Sequence, residues 1–75
     1  MNRVEIFEAL RAGQIEEIKT QLVRYGEIVG DIQTDNDKGF FRIYTIRYRE
    51  RKFVVDMHNG TTTSISVNGV RYTKK

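Results

Sequence analysis

Four side chains near the middle of the chain have the letters of a hydrolase: His58, Asp56, Ser64 and Ser66. A nucleophilic serine needs a histidine base within hydrogen-bond reach, itself oriented by a carboxylate. Asn59-Gly60 lies between two strand-like runs and reads as a tight two-residue hairpin turn. Such a turn places Ser64 opposite Val55 and Ser66 opposite Phe53, which turns both hydroxyls away from His58. His58 and Asp56 share a face, but two ligands fall short of the three or four a zinc ion takes from protein. His58 therefore reads as a surface residue flanking a turn. Glu16 and Glu17 are helix neighbours whose side chains diverge. Asp35 and Asp37 sit before Lys38-Gly39, without the sixth-position Gly and twelfth-position Glu of a calcium loop. Phosphate-cradling glycine motifs are absent. The expectation is a non-enzymatic protein with no catalytic residue, metal site or cofactor.

The cations are the other source of chemistry. Residues 1–37 hold four cations against eight acids, and residues 38–75 hold nine against two. A split between halves points to an anionic partner, though an acidic helix beside a basic sheet within one molecule would give the same count. Arg47, Arg49, Arg51 and Lys52 cluster at one hairpin, with Lys38 and Arg71 elsewhere in the basic half, and Lys74 and Lys75 at the end. Two-stranded ribbons enter major grooves, and sheet faces carry bases on aromatics. These six residues, Lys38 to Arg71, are the candidate contacts to nucleic acid or an acidic protein. FFRIYTIRYRE does not fit the RNP1 pattern of RNA-binding sheets.

The elements that must position these groups follow from periodicity. Ile15, Ile18, Leu22 and Tyr25 recur at helical spacing, and the same face extends back to Phe7 and Val4. That extension brings Arg11 into the apolar stripe, which predicts a break at Ala12-Gly13 with Gly13 left-handed. Gly26 is expected to end the second helix in the same conformation. Asn2 and Glu5 have the spacing of a capping box. ALRAGQIEEIKTQLVRYG, residues 9–26, resembles the helix–turn–helix part of one ankyrin repeat; without a second copy or TPLH the resemblance implies only a helical hairpin.

From Glu27 the period becomes two. EIVGDIQT, FFRIYTIRYR, KFVVDMH and TTSISV read as strands, and a second Asn-Gly at 68–69 precedes VRYT. The predicted fold is α+β: an N-terminal helix or short helical hairpin packed on one face of a four-stranded antiparallel β-meander. Residues 1–75 form a single small domain, helical over 3–25 and β over 27–73. A turn at Glu50-Arg51 pairs Arg49 with Lys52, Tyr48 with Phe53, Ile46 with Val55 and Tyr44 with Met57. The last six form one apolar surface for the helix face of Ile15, Ile18 and Leu22, with Arg42 at its margin.

The opposite face would carry Arg47, Arg49 and Lys52 at one end and Ile43, Val54, Ile65 and Val67 further along. Ile43, Val54 and Ile65 are the alternative site, a protein interface or homodimer contact, since apolar patches of several hundred Å² mark interfaces. No Cys occurs and no apolar run nears the roughly 20 residues of a membrane span, so a cytoplasmic protein without membrane contact is expected.

Overall fold

The computed structural model describes residues 3–75. Two helices, α1 (Arg3–Arg11) and α2 (Ile15–Tyr25), precede five strands: β1 (Glu27–Asn36), β2 (Gly39–Tyr48), β3 (Arg51–His58), β4 (Thr61–Val67) and β5 (Val70–Thr73). The expected capping box involves Asn2, which lies outside the described residues. The helical hairpin breaks where the stripe demanded. Gly13 has φ +80°, its N–H donates to Leu10 O, and that of Gln14 donates to Ala9 O, both at 3.0 Å. This pair of bonds satisfies carbonyls that α1 would leave orphaned.

Gly26 departs from expectation. Its φ of −90° and ψ of 177° are extended, because β1 starts at the next residue and the chain runs straight into it. Glycine is required here for proximity instead. A Cβ would lie 2.5 Å from Ile46 Cγ2 and 2.6 Å from Leu22 O. Gly26→Ala should lower stability by about 1–3 kcal/mol, the usual cost of overpacking, read as a lower urea midpoint at constant m-value.

The sheet is antiparallel in the order β1-β2-β3-β4-β5, one strand more than expected. The extra strand is VRYT, which folds back on β4 through Asn68-Gly69, both with positive φ, pairing Val67 with Val70 and Ile65 with Tyr72. The β2–β3 turn also moves. Arg49 and Glu50, not Glu50 and Arg51, hold positive φ of 49° and 65°, as a type I′ turn requires. Tyr48 then pairs with Arg51, Ile46 with Phe53 and Tyr44 with Val55. The slip is two residues, so facing is preserved. Tyr44, Ile46, Tyr48, Phe53, Val55 and Met57 still join Ile15, Ile18 and Leu22, and the new register sets Phe53 across from the wholly buried Ile46. Arg42 shares this face at its margin, as expected, donating to Asp31 at 3.0 and 2.8 Å with its guanidinium over the Tyr44 ring.

A second correction falls on β4. The β3–β4 ladder shifts between Asp56 and Met57: Met57 pairs with Thr62, Asp56 with Ser64, and Thr63 is the extra residue. This bulge reverses every later side chain of β4. Ile65 and Val67, expected on the far face, are in the core at 0% and 3% exposure. Ser64 and Ser66, expected on the helix side, pair with Asp56 and Val54 on the far side. Thr62 stays on the helix side, where Glu16 of α2 accepts its N–H at 2.9 Å and its O–H at 2.8 Å.

Candidate functional site

The buried residues of both helices all pack with the Ile46–Phe53–Val55 side of the sheet. Strand alternation sets out the other face as four cross-strand rows: Glu27–Arg47–Lys52; Gly30–Thr45–Val54–Ser66–Arg71; Ile32–Ile43–Asp56–Ser64–Thr73; and Thr34–Phe41–His58–Thr61. The corner rows are roughly 20 Å apart along β2, at about 3.3 Å per residue.

Arg47 and Lys52 are direct cross-strand partners, both exposed, an arrangement that is unfavourable for like charges. Glu27 offsets it in part, 3.6 Å from Arg47 in a pair that is mostly in solvent. Arg71 stands one row on, and Lys38 lies in the β1–β2 turn at the opposite end. The structure therefore brings four of the six candidate cations to this face or its rim. The two-residue slip turns the others away. Arg51 now pairs with Tyr48 on the helix side, its guanidinium 5.7 Å from the Phe7 ring centre and donating to Asn68 Oδ1 at 3.1 Å. Arg49 donates to Tyr48 Oη at 3.1 Å and lies against that ring.

Of the alternative interface residues, Ile43 and Val54 remain on the open face and Ile65 does not. Ile32 of β1, 62% exposed, takes the place beside Ile43. Sequence reasoning missed it because no register had been assigned to β1, although a lone isoleucine between Asp31 and Gln33 was the visible sign.

At the far end the Phe41 and His58 rings stack, with centroids 4.6 Å apart and planes at 22°. His58 Nε2 lies 3.0 Å from the Lys38 carbonyl oxygen and 3.4 Å from Asn59 Nδ2. Asn59 locks the two turns together: Phe40 N–H donates to its Oδ1 at 2.9 Å, and its own N–H donates to Phe40 O at 2.8 Å. Next to the stack is an open hollow of about 430 Å³, lined by Phe41, Ile43, Asp56, His58, Thr63 and Arg71.

Ser64 is buried and donates its hydroxyl to Asp56 Oδ2 at 3.0 Å. Asp56 faces His58's side of the sheet, as expected, and Ser64 joins it there, contrary to expectation, but His58 is engaged by Lys38 and the three do not form a relay. Among the described residues no group of three His, Asp or Glu is placed to hold a metal ion, and no helix is long and apolar enough to cross a membrane. No protein-family model, curated protein or solved structure matches this chain.

Proposed function

We propose that this chain is a small non-enzymatic binding module that contacts nucleic acid through the helix-free face of its sheet. The observation that supports the reading is the pairing of Arg47 with Lys52. Two cations opposed on an exposed face repel each other, and a phosphate between them would relieve that repulsion. Arg71 and Lys38 extend the positive surface, while Arg49 and Arg51 serve the hairpin and the helix packing. Four phosphate contacts predict that log K falls against log[salt] with a slope of about −3 on single strands and −3.6 on duplex. Arg47→Gln and Lys52→Gln should each reduce that slope by about 1. A slope near zero, or one that neither substitution moves, overturns the reading.

A second reading has one observation in its favour. Ile32 at 62% exposure adjoins Ile43 and, a row away, Val54, and two copies could bury these faces against each other. It predicts a concentration-dependent dimer in sedimentation, abolished by Ile32→Lys with the fold intact.

A further inference from the structure

We propose that the hollow beside the Phe41–His58 stack is a nucleobase site, taking one base of a single strand with its ring on the aromatic pair, its amino edge on Asp56 and its phosphate on Arg71. This rests on the nucleic-acid reading and narrows it to single strands with unpaired bases.

Asp56 is the starting point. It is a carboxylate in the interior of the face, flanked by Ile43 and Ser64 in its own row, whereas Glu27 stands at a corner beside Arg47. A surface that only tracked phosphates would be weakened by a negative charge there. A surface that also reads bases has a use for it, because carboxylates accept hydrogen bonds from exocyclic amino groups such as cytosine N4. Ser64 occupies one acceptor position on Oδ2. An ionised carboxylate has about four, so capacity remains for a ligand.

The aromatic pair supplies the second half. Phe41 and His58 are cross-strand partners, both half-buried, one row from Asp56. Their stack is fixed from outside by the bond from His58 Nε2 to Lys38 O, so a base meets rings already in place. Gly39 makes that bond possible, since a Cβ there would be 2.7 Å from His58 Nε2. Stacking on sheet-borne rings is a general way for proteins to hold unpaired bases, and it tolerates any base because each has a π-face. Selectivity would then come from Asp56. Arg71 reaches the same hollow from its own row and provides the charge for the adjoining phosphate. The volume, about 430 Å³, falls in the range of small-ligand sites. A duplex keeps its bases stacked inside and could reach the cations but not this hollow.

Fluorescence anisotropy with labelled oligo-dC, oligo-dA and oligo-dT of about ten nucleotides, the matching duplex, and heparin as a polyanion without bases tests this. The full chain should bind single strands more tightly than duplex, and oligo-dC and oligo-dA about fivefold or more above oligo-dT, which has no exocyclic amino group. Phe41→Leu keeps the apolar bulk and removes the π-face. It should weaken all three single strands by about fivefold or more and leave heparin unchanged. Asp56→Ala, which removes the acceptor, should erase the preference over oligo-dT. Duplex binding as tight as single-strand binding overturns the base site, as does Phe41→Leu without effect on single strands, or with equal loss of heparin. In those cases a response to Arg47→Gln and Lys52→Gln would still uphold the nucleic-acid reading. Absence of binding to every nucleic acid rejects both.

Discussion

Ile65→Lys should unfold the protein, whereas Ile43→Lys should leave its urea midpoint nearly unmoved. Both are isoleucines in central stretches of the sheet, and the alternation of the sequence places them on one face. The bulge at Thr63 separates them: Ile65 is 0% exposed and Ile43 is 36% exposed. A lysine at 65 loses the burial of an isoleucine, about 2–5 kcal/mol by analogy with large-to-small core changes. It also leaves an unpaired ammonium in the core, with a penalty of several kcal/mol. A chain of 75 residues has roughly 4–11 kcal/mol of stability in all. At position 43 a lysine would be opposite Asp56 on an open face, a neutral to mildly favourable cross-strand pair. Circular dichroism and urea titration of the two variants decide it. A folded Ile65→Lys protein with an unaltered midpoint would show that β4 runs without the bulge.

That contrast locates what was legible in the sequence. The helix stripe of Ile15, Ile18 and Leu22 and the six inward residues from Tyr44 to Met57 were readable because periods of 3.6 and 2 are written directly into residue types. Gly13 was readable because Arg11 broke the stripe. The bulge was not, because in Thr61-Thr62-Thr63-Ser64 every residue suits either face and an added one leaves no trace. The β2–β3 register was hidden for a different reason. Arg49 and Glu50 take the left-handed conformation although neither residue type prefers it, so nothing in the turn's own residues marked its position. For the candidate site, Arg47 and Lys52 stay on one face because a two-residue slip conserves facing, but Lys52 exchanges its expected partner Arg49 for Arg47. Arg51 was lost from the site by the same slip, since it left the turn and joined the helix-side face. The Phe41–His58 stack was out of reach, as the expected register carried β2 past His58 and set Phe41 across from Gly60.

Glu16→Ala should lower stability by about 2–4 kcal/mol, a large effect for a helix-surface glutamate. Its two carboxylate oxygens receive the N–H and O–H of Thr62, a residue 1% exposed beside the β4 bulge. Truncation leaves two donors buried without partners, at about 1–3 kcal/mol each, reduced here because the Glu16 side chain is 35% exposed and water can enter. Glutamine restores one acceptor and not the second, so Glu16→Gln should lose about half as much. The pH dependence follows from the same contact. The Thr62 backbone N–H, then burial acting in the opposite sense, then the Thr62 hydroxyl and the nearby Lys19 and Lys74, set the Glu16 carboxyl below its ordinary value. A depressed folded pKa means that the ionised form is favoured by folding. Its contribution is complete above the unfolded value of about 4.3 and is lost as pH falls through the lower folded value. Wild type should therefore lose stability relative to Glu16→Gln on the acid side of pH 4–5, and the two curves should run parallel from pH 6 upward. Parallel curves through the acid range, or an Ala variant as stable as wild type, would mean that the carboxylate does not tie α2 to the bulge.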